Sequence, residues 1–159
     1  MKYLGLATNV RRNSLNRLSQ IRGQDARDRA RSLVEKLGIR RGQKVGLLNP
    51  PSGYDSMLTG LPEGISVAQE LSGEFDFIQF FAKNAEDLDE SFGASKARIK
   101  QSGMIWASWP KGASRALGGL RSDIVREIGL RHGLVDVKVC SIDQNWSALK
   151  FVTRVRDRR

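Results

Sequence analysis

The stretch FDFIQFFA, residues 75–82, decides the fold of this chain. Its apolar side chains follow one another almost without interruption, which predicts a strand buried on both faces. Two further apolar runs, VGLL at residues 45–48 and MIWASW at residues 104–109, have the same character. Strands of this kind are typical of parallel sheets that carry helices on both sides.

Helical patterns alternate with these runs. The first has one apolar face and ends at Gly38 in the C′ position, with Ile39 folding back on Val34. The second begins at Asn84, a good N-cap, and is closed by Gly103. Its apolar face consists of Leu88, Phe92, Ser95 and Ile99.

A third helix is predicted from a cap at Ser122 or Asp123 to Gly133. Residues 65–68 form a short strand, and residues 134–142 and 146–155 form an antiparallel hairpin. This order predicts a small Rossmann-like (methyltransferase-like) α/β domain, whose mostly parallel sheet is flanked by helices and ends in the hairpin. We predict a basic arm over residues 1–23, a single domain over residues 24–156 and a tail over residues 157–159.

The net charge of +10 is distributed unevenly along the 159 residues. Residues 1–44 hold 12 Lys and Arg against 3 Asp and Glu, a net +9, and the remaining 115 residues carry a net +1. The arm therefore provides the candidate nucleic-acid contacts, Arg11, Arg12, Arg17 and Arg22. Without interleaved aromatic residues, the arm is better interpreted as a solvated tail that makes weak nucleic-acid contacts.

The composition favours a cytoplasmic protein. Cys140 is the only cysteine, so the chain cannot form an internal disulfide. No apolar run approaches the roughly 18–20 residues of a membrane span, and the first residues are too weakly apolar for a signal peptide. One histidine and one cysteine also argue against a structural metal site.

Residues 37–155 carry a family resemblance. The matching residues include Leu37-Gly38-Ile39, Val45-Gly46-Leu47-Leu48-Asn49, Leu61-Pro62-Glu63-Gly64, Phe75-Asp76-Phe77, Trp109-Pro110-Lys111 and Val125-Arg126-Glu127. The most specific run is Gly133-Leu134-Val135-Asp136-Val137-Lys138-Val139-Cys140, followed by Asp143, Trp146-Ser147 and Leu149-Lys150. On these residues the chain resembles the bacterial family called domain of unknown function 3052. The resemblance implies a bacterial protein and no assigned activity, and the long basic arm departs from the family's short N-terminus.

Ligands of open α/β sheets bind beyond the carboxyl ends of the strands. Asn49, Ser52 and Gly53 follow the first strand, and Glu70 follows the second at the spacing of a ribose-binding acid. The first loop, Asn49-Pro50-Pro51-Ser52-Gly53-Tyr54, lacks two backbone donors at its prolines. We interpret it as a rigid turn, with ligand contact as the alternative, and Glu70 as an exposed residue with ribose binding as its alternative.

The same loop is similar to the catalytic tetrapeptide of adenine methyltransferases, Asn-Pro-Pro followed at once by an aromatic residue. Here Ser52 and Gly53 separate Tyr54 from the prolines, and the motif follows an earlier strand. S-adenosylmethionine usually meets a glycine-rich turn at this place. We therefore expect no resident cofactor, with S-adenosylmethionine or a nucleotide as the alternative.

Basic residues follow the strand at residues 104–109. Lys111 and Arg115 lie in a loop that also contains three glycines, the composition of an anion clamp. The alternative is a surface loop with solvated charges.

Trp109 either stacks on a planar ligand or packs in the core. His132 has no obvious nucleophile as a partner, and Cys140 is expected to be buried and inert. Asp136 and Lys138 are expected to contact solvent or each other's neighbours.

The leading interpretation is a non-catalytic domain that binds a small anionic ligand or a protein partner. The first alternative is an S-adenosylmethionine-dependent transferase with an atypical first loop. The second is a nucleic-acid-associated protein that acts through its arm, and this alternative requires Arg40, Arg41 and Lys44 to join the arm in one patch.

Overall fold

The computed structural model describes residues 32–112 and 119–159, which form a six-stranded mixed sheet flanked by helices. The strands are β1 (Lys44–Leu48), β2 (Ser66–Ala68), β3 (Phe75–Phe81), β4 (Ile99–Pro110), β5 (Leu134–Ser141) and β6 (Trp146–Thr153). The helices are α1 (Leu33–Leu37), α2 (Tyr54–Met57), α3 (Ala85–Lys96) and α4 (Ser122–Arg131), and a 3-10 turn covers Val155–Asp157.

The strand order is β2-β1-β3-β4-β6-β5. Strands β1 to β4 pair in parallel, whereas β6 is antiparallel to both β4 and β5. This arrangement confirms the predicted fold class, a mostly parallel sheet that ends in an antiparallel pair. The predicted domain boundaries at residues 23 and 156 stay predictions, because residues 1–31 lie outside the described part of the chain.

Each face of the sheet carries its own hydrophobic core. On one face, α3 and α4 pack through Leu88, Phe92 and Val125. On the other face, α1 and α2 pack through Leu37 and Tyr54. The side chains of β3 are buried on both faces, apart from the half-buried Asp76, as its mostly apolar run predicted.

The end of α1 confirms the predicted closure. Gly38 has φ 80°, and its N–H donates to the carbonyls of Val34 and Glu35, while the N–H of Ile39 donates to Val34 O at 3.2 Å. Trp106 of β4 is fully buried, and its Nε1 donates to Leu37 O at 2.9 Å. This bond fixes the end of α1 over the centre of the sheet.

The predicted end of α3 is wrong, although its N-cap is confirmed. Asn84 Oδ1 accepts from Asp87 N at 2.8 Å, but the helix ends at Lys96, so Ile99 and Gly103 belong to β4. Gly103 allows the backbones of β4 and β3 to approach closely and does not end the helix, because a Cβ at this position would lie 2.8 Å from Asp76 O. The register of β4 against β3 shifts at this point, between the pairs Phe75–Ile99 and Phe77–Met104.

Asp76 links this irregular end of β3 to the neighbouring strands β1 and β4. Its carboxylate accepts from the backbone N–H of Lys44 at 2.8 Å and from Lys100 Nζ at 3.0 Å. The Lys44 N–H, followed by the Lys100 ammonium, lowers the pKa of Asp76 below its usual 3.8. A carboxyl group with a lowered pKa stabilises the fold above its unfolded-state pKa and loses that contribution as the pH falls through its folded-state pKa.

We therefore expect Asp76→Asn to lower the free energy of unfolding by about 1 kcal/mol at neutral pH. The difference from the parent protein should shrink below about pH 4, where the parent carboxyl group becomes protonated. Urea unfolding at a series of pH values measures it. Glu74→Gln, which changes an exposed carboxylate on the neighbouring loop, is the control and should cost less than about 0.5 kcal/mol. A difference for Asp76→Asn that stays constant down to pH 2 would contradict this role.

The N-cap predicted for the helix now called α4 is wrong by one residue. The cap is Arg121, whose side chain makes no capping bond, and Ser122 is the first helical residue. Asp123 instead accepts from Ile124 N and lies 3.4 Å from Arg121 Nε. The predicted end is confirmed, because Gly133 has φ 79° directly after the C-cap His132.

A β-bulge in β5 overturns the predicted alternation. The register shifts between Asp136 and Lys138, so Val137 is the extra residue and is 46% exposed. Asp136 and Lys138 consequently lie on opposite faces of the sheet and are both half-buried. Asp136 pairs with Arg126 of α4 at 2.9 Å, whereas Val139, beyond the bulge, is 52% exposed.

Candidate functional site

The carboxyl ends of β1 and β3 form the switch point of this sheet. The chain leaves β1 to form β2 on one side and then returns to form β3 on the other. In open α/β sheets this reversal creates the crevice in which ligands bind. The side chains that follow the strand ends here are Asn49, Ser52, Glu70, Lys83 and Asn84, all exposed.

The loop after β1 is a tight turn. Asn49 has φ 55°, which is an unusual conformation for a residue other than glycine, and Gly53 has φ 81°. Between them, Pro50 and Pro51 carry no N–H, and Pro51 O accepts from Tyr54 N at 3.1 Å. The loop leads into the single turn of α2, which spans four residues. Ser52 and Gly53 are exposed at the crest of this turn.

A buried chain of polar side chains lies beneath the loop. The Tyr54 hydroxyl donates to Gln79 Oε1 at 2.6 Å, and Gln79 Nε2 donates to Ser108 Oγ at 3.1 Å. All three residues are at most 1% exposed, and burial raises the pKa of the Tyr54 phenol. Tyr54 therefore stays neutral and acts as a hydrogen-bond donor that anchors α2 to β3.

Sequence reasoning missed this Tyr54–Gln79–Ser108 chain. A signal was present, because Gln79 is a polar residue inside the otherwise apolar run of β3. Buried polar groups are almost always hydrogen-bonded, so such a residue needs a partner from a neighbouring element. Tyr54 packs against the sheet below the β1 loop, and its ring contacts the Phe81 ring edge-on, with the ring centroids 4.8 Å apart.

The three ligand contacts predicted around the end of β4, which are Trp109, Lys111 and Arg115, do not form one site in the described structure. Trp109 is 4% exposed and belongs to the core on the α3–α4 face, which confirms core packing and corrects the alternative of stacking on a ligand. Lys111 closes the β5–β6 hairpin, since its Nζ donates to Ser141 Oγ at 2.5 Å and to Asp143 O at 2.7 Å. As an anion contact Lys111 stays a prediction, and Arg115 lies outside the described residues.

The basic patch required by the nucleic-acid alternative stays a prediction, because it depends on the arm. Lys44 Nζ donates to Ser72 O at 2.6 Å and lies 4.3 Å from the centre of the Phe75 ring, and Arg41 lies 3.5 Å from Glu63. Arg40 is exposed, and its charge adds to the lowering of the Lys150 pKa, after burial and Lys138. The four arginines of the arm, Arg11, Arg12, Arg17 and Arg22, lie outside the described residues.

Other chemically reactive side chains are already engaged. His132 Nε2 lies 2.7 Å from Asp89 Oδ1, and its ring stacks on Phe92 with the centroids 5.7 Å apart. Cys140 is buried, and its Sγ donates to Ser141 O at 3.4 Å. Over residues 32–112 and 119–159, no group of three or more His, Cys, Asp or Glu is placed to hold a metal ion. In the same ranges no helix is long and apolar enough to cross a membrane.

Comparison with solved structures gives the fold a place among known proteins. A TehB-like SAM-dependent methyltransferase from Corynebacterium glutamicum matches 89% of this chain and 98% of its own, with a TM-score of 0.52 and 16% identity. The pyocyanin biosynthetic protein PhzM matches 77% of this chain, with a TM-score of 0.58 and 11% identity. This chain spans 54% of PhzM.

A fibrillarin pre-rRNA processing protein from Methanococcus jannaschii also matches, over 72% of this chain and 68% of its own, with a TM-score of 0.51 and 13% identity. No family model and no curated protein sequence matches this chain. The resemblance to domain of unknown function 3052 therefore stays a prediction. Identities this low establish the architecture and leave the chemistry open. The chain has the fold of the methyltransferases.

Proposed function

We propose that this protein is a ligand-binding domain with a methyltransferase fold, and that it binds a small anionic ligand without transferring a methyl group. The observation that carries the proposal is the β1 loop. Pro50 and Pro51 remove two of the backbone donors that a cofactor would meet there, and the following helix is a single turn. Tyr54, buried and bonded to Gln79, holds this arrangement in place.

The expectation of an anionic ligand rests on the carboxyl edge of the sheet. Lys83 follows β3 and Arg121 precedes α4, and both residues are exposed. Phosphate or carboxylate groups form charge-assisted hydrogen bonds with such side chains. The amides of Asn49 and Asn84, at the same edge, add neutral donors and acceptors.

An S-adenosylmethionine-dependent transferase is the second candidate. The pairing of Gly46 with Ala68 brings the ends of β1 and β2 together, so Asn49 and Glu70 follow at one edge. Glu70 is exposed there, and an acidic residue at this place binds ribose hydroxyls in dinucleotide folds. The TehB-like neighbour is itself described as SAM-dependent.

Titration calorimetry with S-adenosylmethionine separates the two candidates. We expect binding much weaker than a Kd of about 1 μM, which corresponds to roughly −8 kcal/mol. A Kd near that value, weakened about tenfold by Glu70→Gln, would contradict the proposal and establish the transferase candidate. Glu63→Gln is the matched control, because Glu63 O accepts from Gly42 N near the amino end of β1, away from the crevice.

A further inference from the structure

Two lysines are paired on the α1 face of the sheet, on strands away from the crevice, and Arg40, which is exposed, follows the helix that covers this face. Lys138 of β5 and Lys150 of β6 are direct partners in the antiparallel register. Lys150 is also the partner of the buried Trp106 on β4. Arg40 follows the end of α1, which the Trp106 indole holds over these strands. We call Arg40, Lys138 and Lys150 the cationic triad.

Repulsion among the charges of the triad lowers the stability of the protein without a bound ligand. Like charges directly opposite each other on paired strands repel, and both lysines are half-buried. Burial, and then the charges of Lys138 and Arg40, lower the pKa of Lys150. Among the described residues, no carboxylate lies within ion-pair distance of the three cationic groups, and the nearby Asp136 faces the opposite side of the sheet and binds Arg126.

We propose that the cationic triad binds a phosphoryl group of a small anionic ligand. A phosphoryl group carries a charge of about −1.5 to −2 at neutral pH and therefore offsets much of the charge of the three cations. The Arg40 guanidinium offers a planar pair of donors, and each ammonium group offers rotatable donors. Partial burial strengthens such contacts relative to those on a fully exposed surface.

This site is distinct from the crevice of the proposed function. Strand β6, which carries Lys150, is separated from β3 by β4 and from β1 by both β3 and β4, and β5 with Lys138 lies beyond it at the sheet edge. At about 4.8 Å between neighbouring strands, Lys150 is roughly 10 Å from β3 and roughly 14 Å from β1 across the sheet. The inference therefore does not depend on whether the crevice binds S-adenosylmethionine or any other ligand.

Titration calorimetry with inorganic pyrophosphate tests the inference on the full chain. We expect saturable binding that Lys150→Met and Lys138→Met each weaken at least about tenfold, or roughly 1.4 kcal/mol. Methionine keeps the apolar stem of lysine and removes the repulsion, so both variants should unfold at the parent temperature or above it. Loss of binding then cannot be attributed to loss of the fold.

Lys96→Met is the matched control, because it removes one charge from a half-buried lysine of α3, on the opposite face of the sheet and outside the crevice. It should leave pyrophosphate binding within about twofold, a free-energy difference of roughly 0.4 kcal/mol. Equal weakening by all three variants would mean general attraction to a basic protein and would overturn the site. Absence of saturable binding to the parent protein at millimolar pyrophosphate would overturn it as well. Glu70→Gln should leave this binding unchanged, which keeps the two proposals separable.

Discussion

Tyr54→Phe should lower the free energy of unfolding by about 2 kcal/mol, even though it removes one oxygen atom. The phenylalanine ring can keep the edge-on contact with Phe81 at 4.8 Å. Gln79 Oε1, however, would lose the donor that lies 2.6 Å away and would remain buried without a partner. The cost of such an unpaired acceptor exceeds the net value of the bond itself.

Chemical denaturation of two further variants completes this test. Gln79→Leu should also cost about 2 kcal/mol, because it leaves the Tyr54 hydroxyl and Ser108 Oγ without their partner. The double variant should cost clearly less than the sum of the single variants, since both ends of the same bond become apolar. Additive costs would show that the two residues act independently and that the polar chain does not anchor the β1 loop.

Gly129→Ala should lower the free energy of unfolding by about 2 kcal/mol, against the usual preference for alanine in helices. A Cβ at this position of α4 would lie 2.3 Å from Cε2 of Phe151. Phe151 is fully buried and contacts Phe92 edge-on at 4.9 Å, so the ring has little room to move. The strain of overpacking therefore exceeds the gain of about 1 kcal/mol from helix propensity.

Gly93→Ala is the matched control within α3. The added Cβ would lie 3.6 Å from His132 Cε1, an ordinary contact distance. We expect this variant to be more stable than the parent protein by about 0.5–1 kcal/mol, as measured by thermal and urea unfolding. If both variants were stabilising, the close approach between α4 and β6 would be wrong.

The strands were predictable because burial on both faces leaves a simple pattern. The runs at residues 45–48 and 75–82 correspond to β1 and β3 within one residue. The beginning of β4 was not predictable, since Leu88, Phe92, Ser95 and Ile99 fit a helical face equally well. The difference depends on Asp76 and Gly103, which form the irregular β3–β4 junction through contacts distant in sequence.

The candidate site was predictable as a place and less so as a set of side chains. The order of strands and helices was enough to indicate the carboxyl edge, because ligand crevices follow from topology. The partners of individual residues depend on tertiary contacts that no local pattern encodes. Lys111 illustrates this limit, since its ammonium group contacts Ser141 and Asp143 O, about thirty residues further along the chain.

The bulge in β5 has a consequence for how this protein behaves at high concentration. β5 is an edge strand, and its Val137 and Val139 are about half exposed. An apolar edge strand that is flat and regular recruits strands from other molecules and begins aggregation. The extra residue interrupts the ladder of free backbone groups, and the Lys138 beside it adds charge. The β-bulge that shifts the side-chain alternation of β5 therefore opposes pairing between the β5 edges of different molecules.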